Sequence, residues 1–160
     1  MSQPVRLPQD TALVIIEPID QLDPAAAAAV AGLLTAWRGA DMPRVRMSVT
    51  DDDQDGDEPV IRRSGPSVFG STGLDERLTA AGITTLVLCG SDHDGSLAAG
   101  VSEAAERGYR VVVARDGCAP AARDDFAAHA KLAAAADILM GLALSAARKR
   151  PWPTVPARIL

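Results

Sequence analysis

With 160 residues, 48% of them hydrophobic and 23% charged, the chain is long enough to bury a core and has the composition of one ordinary globular domain. Its net charge of −5 disfavours nucleic acid as a partner, because phosphates are repelled on average. No apolar run approaches the roughly 18–20 residues that span a bilayer, and the opening MSQPVRLPQD lacks a cationic stretch followed by an apolar block, so a cytoplasmic location away from membranes is expected.

Strand and helix signals alternate along the chain. Ala12–Ile16 is a short continuous apolar run, the pattern of a strand buried on both faces. Asp23-Pro24 then reads as an N-cap followed by the first helical residue. Val30, Leu33, Leu34 and Trp37 fall on one helical stripe, with Gly39 expected just past the end. In Arg44–Val49 apolar and polar residues alternate, which predicts a strand with one wet face. The acidic run Asp51–Glu58 is expected to remain in water, because like charges without core partners stay solvated. It lacks the ligand spacing of a calcium loop. Pro59–Arg63 reads as a short strand entering the turn Ser64-Gly65-Pro66.

Thr72 is expected to cap a helix that carries Leu74 and Leu78 and closes at Gly82. Thr84–Leu88 is the next strand, followed by a helix from Asp94 to Arg107 with Leu97, Val101, Ala104 and Ala105 facing inward. Arg110–Ala114 is predicted as a strand ended by Asp116-Gly117. Ala121–Ala136 reads as a helix, Asp137–Met140 as a short strand and Leu142–Arg148 as a final helix. Three prolines make the tail, residues 151–160, extended, leaving 1–150 as the single domain. The alternation implies a three-layer α/β/α fold with a mostly parallel sheet of five or six strands, Rossmann-like in the broad sense. The first strand runs into Glu17-Pro18-Ile19-Asp20 with no G-x-G-x-x-G, so no dinucleotide cofactor is expected.

The stretch Leu86–Gly100, LVLCGSDHDGSLAAG, places Asp92-His93-Asp94 between a buried strand and a helix, where ligands of open α/β sheets gather. It belongs to a longer pattern: Ser67-Val68-Phe69, Thr72, Leu74, Leu78, Gly82-Ile83, Leu86–Gly90, Gly108-Tyr109, Val111–Val113 and Asp116. This pattern resembles the isochorismatase-like (cysteine hydrolase) superfamily, most closely over Ser67–Asp116 and more weakly over Thr11–Leu144. The resemblance implies that family's fold and a hydrolytic site made of an Asp, a Lys and a Cys nucleophile. The matching positions in this chain hold Glu17, Arg63 and Ser96. Asp92, His93 and Phe69 would then line the substrate site, where His93 replaces a usual Thr.

These replacements change the chemistry. A Ser hydroxyl needs a nearby base, and Arg63 stays protonated and cannot be one. Glu17 or His93 is the candidate base for Ser96. Alternatively Glu17 serves as an acid toward an enol ether, as in the family branch that lacks the thiol, or merely pairs with Arg63. The expected reaction is hydrolysis of a small amide or enol-ether substrate through this substituted trio. The alternative is a non-catalytic member, a pseudoenzyme that keeps the fold for ligand binding or assembly. Some members of the resembled family hold a metal through Asp and His residues between the first strand and the Lys position; residues 38–62 here contain no His, so the resemblance leads to no expected metal. His129 is expected on a helix surface or in its packing. Cys89 should be a buried small hydrophobe, and Cys118 a loop residue, reactive only if exposed. Trp152, Val155, Ile159 and Leu160 on the tail lead to the expectation of a homodimer or larger assembly.

Overall fold

The computed structural model describes residues 5–17, 19, 22–49, 58–70, 72–119 and 124–147. Six strands form one sheet: β1 (Thr11–Ile16), β2 (Arg44–Ser48), β3 (Val60–Arg62), β4 (Thr85–Ser91), β5 (Arg110–Ala119) and β6 (Lys131–Ala133). Their spatial order is β3-β2-β1-β4-β5-β6, and every neighbouring pair is parallel. The chain thus builds outward from β1 to β3, then returns to the other side of β1 and builds outward again. That reversal opens a crevice at the carboxyl ends of β1 and β4, where such sheets bind ligands.

Both central strands are buried throughout, which explains why they read as unbroken apolar runs. Because successive side chains point to opposite faces, each strand feeds two cores. Leu13, Ile15, Val87, Cys89, Val112 and Ala114 face α1 (Pro24–Ala40) and α4 (Ala135–Ala147). Ala12, Val14, Ile16, Leu86, Leu88, Val111 and Val113 face α2 (Leu74–Ala80) and α3 (Ser96–Glu106). This is the three-layer α/β/α architecture that the alternation of elements predicts.

Local chemistry sets the helix ends. Asp23 caps α1 by accepting from the Ala26 amide at 2.7 Å, with Pro24 in the first turn. Gly39 lies inside α1, and the left-handed cap is Asp41 instead (φ 54°). Thr72 lies one residue before the cap position of α2, which Gly73 occupies; the Thr72 hydroxyl accepts from the Leu74 amide at 3.2 Å.

Several expectations need correction. Glu58 does not share the solvation foreseen for its acidic run: it is buried and pairs with Arg38 and Arg44. Residues 51–57 lie outside the described residues, as does the tail. Second, β5 does not stop at Ala114 but continues, through an irregularity opposite Leu88 and Gly90, to Ala119. Third, the alanine-rich stretch before residue 136 is not one helix. It holds a 3-10 turn (Asp124–Ala128), the edge strand β6 and the start of α4. Asp137–Met140, foreseen as a strand, is the first half of α4, and exposed His129 follows the 3-10 turn rather than sitting in a helix.

Candidate active site

The crevice collects side chains from four elements. Glu17 directly follows β1 and is buried. Gly90 of β4 lies beside this point with φ 116°, and a Cβ there would fall 2.2 Å from the Ile16 carbonyl oxygen. Only glycine lets the two strand ends approach this closely. The Glu17 carboxylate does not pair with Arg63. Arg46 donates to its Oε1 at 2.6 Å, and the Ile19 amide donates to Oε2 at 2.9 Å. Arg46 projects from β2 because the parallel register sets it opposite Ile15, one strand away from the end of β1.

Arg63 follows β3 and extends its ladder, donating its backbone N–H to the Ser48 carbonyl at 2.8 Å. Its side chain is fully buried. Nη1 donates to the Gly65 carbonyl at 2.8 Å and to Asp94 Oδ2 at 2.9 Å, and Nη2 donates to the Glu17 backbone carbonyl at 2.5 Å. Arg63 therefore ties the end of β1 to the loop before α3. Among the described residues its Nε–H has no partner.

Ser96 is the first residue of α3 and is buried. Its hydroxyl donates to Asp94 Oδ1, and its backbone N–H donates to the same oxygen at 3.1 Å. Asp94 thus joins Ser96 to Arg63, one oxygen for each. Burial pushes the Asp94 carboxyl up, but hydrogen bonds from Ser96 and Arg63 outweigh it and leave the group below its ordinary value. Asp92 accepts from the Ala98 amide at 3.0 Å, so two carboxylates satisfy the open end of α3. The His93 side chain is exposed, and its backbone N–H donates to Ser91 Oγ at 3.3 Å.

The loop from Ser64 to Gly70 is held against α3 by one residue that the sequence reading did not single out. Glu103 accepts from the Ser67 hydroxyl at 2.6 Å and from the Val68 and Phe69 amides at 2.9 and 3.1 Å. Phe69 is buried, its ring 5.8 Å from that of Tyr109 and under the Arg107 guanidinium at 4.9 Å. Its ring takes part in this packing.

Neither thiol suits nucleophilic work. Burial drives the Cys89 thiol well above its usual value. Cys118 is not exposed: its thiol donates to the Ala114 carbonyl at 3.0 Å, and burial pushes it up to about 12. Among the described residues no group of three or more His, Cys, Asp or Glu side chains converges to hold a metal ion. No helix among them is long and apolar enough to cross a membrane.

Glu17, Arg63 and Ser96 are therefore neighbours in one network, but through Glu17's backbone and through Asp94. Sequence reasoning placed Asp94 in the Asp92-His93-Asp94 cluster and at a helix start without linking it to Ser96 or Arg63, and it missed Arg46. A signal for each was present: Asp94-Gly95-Ser96 has the two-residue spacing of an Asx turn, and Arg46 lies on the wet face of an alternating strand.

Comparison with known proteins agrees with the architecture. Residues 18–148 match the Isochorismatase domain. An isochorismatase-family protein from Chromobacterium violaceum superposes with a TM-score of 0.70 at 28% identity, covering 90% of this chain and 100% of that one. N-carbamoylsarcosine amidase from Thermoplasma acidophilum shares the fold, with a TM-score of 0.64 at 22% identity over 78% and 96% of the two chains. Streptothricin hydrolase from Streptomyces noursei is 41% identical over 71 residues, 42% of this chain and 26% of that protein. The chain thus spans about a quarter of the length of the curated relative it matches. By its matched domain and its fold, the chain belongs to the isochorismatase family.

Proposed function

We propose that this chain is a small-molecule hydrolase of its family in which Ser96 is the nucleophile, Asp94 accepts its proton and Arg63 holds Asp94 in place. The substrate is a small amide or ester. The observation that carries this reading is the hydrogen bond from the Ser96 hydroxyl to Asp94 Oδ1 at the start of α3. A hydroxyl becomes a useful nucleophile only beside a base, and Asp94 stands where neither Glu17 nor His93 does. The Asp94 side chain is 45% exposed, so substrate meets the pair from that side.

In the forward step Ser96 Oγ attacks the carbonyl carbon while its proton passes to Asp94. The oxyanion forms near the positive end of α3. Asp94 returns the proton to the leaving amine or alcohol as the C–N or C–O bond breaks, and water then cleaves the acyl-serine by the reverse sequence. Arg63 does not exchange protons; it orients Asp94. Glu17 is assigned a positioning role, because its carboxylate is bound to Arg46 and its backbone carbonyl fixes Arg63. Asp92 and His93 sit at the rim and contact polar groups of the substrate. Family membership and the hydrolase named among its relatives support the reaction class.

A second reading is favoured by one observation: Ser96 is wholly buried and its base lies below the ordinary carboxylate range, so the base is weak. A non-catalytic member would keep the network as a structural tie. A fluorophosphonate serine probe followed by peptide mass spectrometry separates the two. Hydrolase function predicts labelling at Ser96, none in Ser96→Ala, and labelling about 10²–10⁴-fold slower in Asp94→Asn. No label and no turnover across an amide and ester panel would leave the non-catalytic reading standing.

A further inference from the structure

The segment from Ser64 to Gly70 carries the Gly65 carbonyl that fixes Arg63, yet it belongs to no helix or strand. Among the described residues no backbone-to-backbone hydrogen bond joins it to another element. Side chains hold it instead, and α3 provides a seat for it. A Cβ at Gly100 would fall 3.2 Å from Val68 Cγ2, so the glycine lets Val68 lie close against the helix. Three residues on, Glu103 accepts the Ser67 hydroxyl on one carboxylate oxygen and both the Val68 and Phe69 amides on the other. One turn further, Arg107 covers the Phe69 ring and donates to the Glu103 backbone carbonyl at 3.1 Å. Gly100, Glu103 and Arg107 share one helix face. Val68 and Phe69 are buried, so without Glu103 their amides have no water to turn to.

We propose that Glu103 is a positioning residue of the crevice: by seating Ser67–Phe69 on α3 it fixes the Gly65 carbonyl, and through that carbonyl it holds Arg63 against Asp94. The proposal rests on the roles given above to Ser96, Asp94 and Arg63.

Only Pro66 lies between Gly65 and Ser67, and its ring fixes φ at about −65°. A shift of Ser67 is therefore carried to the Gly65 carbonyl rather than absorbed on the way. Arg63 Nη1 divides its hydrogens between that carbonyl at 2.8 Å and Asp94 Oδ2 at 2.9 Å, so displacing the first acceptor turns the guanidinium away from the second. At the other end, Glu103 and Ser96 stand on one helix about two turns, roughly 10 Å, apart, a spacing that α3 itself keeps constant. The circuit Ser96–Asp94–Arg63–Gly65–Ser67–Glu103 thus closes on α3. Opened at Glu103, it leaves the Glu17 carbonyl as the remaining firm anchor for the Arg63 fork, and that anchor sits on the sheet rather than on the helix that carries Ser96.

Nitrogen NMR of the full chain reads the Arg63 guanidinium without turnover, its signals assigned by their loss in Arg63→Lys. Held at both ends, the group should give separate Nη1 and Nη2 signals in the wild type. Glu103→Ala should average them and slow phosphonate labelling of Ser96 about 10–100-fold, the scale of a small misplacement at a reacting centre. Glu103→Gln keeps one oxygen for both amides and offers an N–H to Ser67 Oγ, so it should restore the separate signals and most of the rate. Glu106→Ala, at an exposed acid of the same helix, should change neither. If Glu103→Ala loses its circular dichroism, Glu103→Asp, one methylene short of the three donors, reads the same seat with a smaller change. Averaged signals in the wild type, or separate signals in a folded Glu103→Ala or Glu103→Asp variant, overturn the inference. Averaged signals with an undiminished rate overturn its part in the reaction. A wild type that the phosphonate never labels fails the serine reading instead, and the Arg63 spectrum still decides whether Glu103 holds the fork.

Discussion

The two ends of the sheet each hold a carboxylate among arginines, yet they differ in what else they hold. At the amino ends of β2 and β3, Glu58 receives Arg38 and Arg44, and its side chain is fully buried. Its contacts are with guanidinium groups, which draw its carboxyl below the usual range, chiefly through the hydrogen bond from Arg38. At the carboxyl ends, the Arg63–Asp94 pair has a hydroxyl attached to it and reaches solvent through Asp94. Perturbed carboxylates occur at both ends, so perturbation alone does not distinguish them. Position relative to the strand reversal and the presence of a transferable proton do.

The sharpest way to break the comparison is to remove one partner from each end. Arg63→Ala strands the Glu17 and Gly65 carbonyls, deprives Asp94 of its cation and leaves a cavity. It should cost about 3 kcal/mol of stability and abolish labelling of Ser96. Thermal or urea unfolding alongside the phosphonate assay reads both effects. Destabilisation with undiminished labelling would make Arg63 structural only. At the other end, Glu58→Ala should cost about 1–2 kcal/mol, less because Arg38 is 41% exposed and can turn to water. Labelling of Ser96 should be unchanged. A loss of labelling there would mean that the two ends are coupled, and the distinction would fail.

The parts of this molecule that were legible in its sequence are those whose signals are local. β1 and β4 show as apolar runs, and α1 shows its stripe, its Asp23 cap and its Pro24. The region after β5 misled because alanine favours helix on its own, whereas β6 exists by pairing with Val112–Ala114. Asp137–Met140 is a short apolar run, and such a run does not distinguish a strand from a buried helix turn. The Val5 amide donates to the Asp137 carbonyl, and α4 is packed from that side as well as from the sheet. The site followed the same rule. Glu17, Arg63 and Ser96 were singled out by the family resemblance, and only their positions just after β1, just after β3 and at the start of α3 are local features. Which carboxylate met which guanidinium was not local: it depended on β2 lying beside β1, which brings Arg46 to Glu17 and leaves Arg63 for Asp94.

The smallest expected effect concerns pH, and it tests whether Asp94 belongs to the functional end of the comparison. Its carboxyl lies below its ordinary value of 3.8 in the folded protein. A lowered folded value means that Asp94 contributes stability above the unfolded value, near 3.9, and that this contribution fades as pH falls through the folded value. In the proposed mechanism the same ionisation lets Asp94 accept the Ser96 proton. Between neutrality and about pH 5 the labelling rate at Ser96 should therefore follow only the probe's own chemistry, then fall together with stability in more acid solution. Asp94→Asn should remove both the steep acid limb of the rate and this share of the acid sensitivity, while Glu58→Ala should alter the stability curve alone. If His93→Ala instead removes labelling while Asp94→Asn keeps it, His93 rather than Asp94 accepts the Ser96 proton.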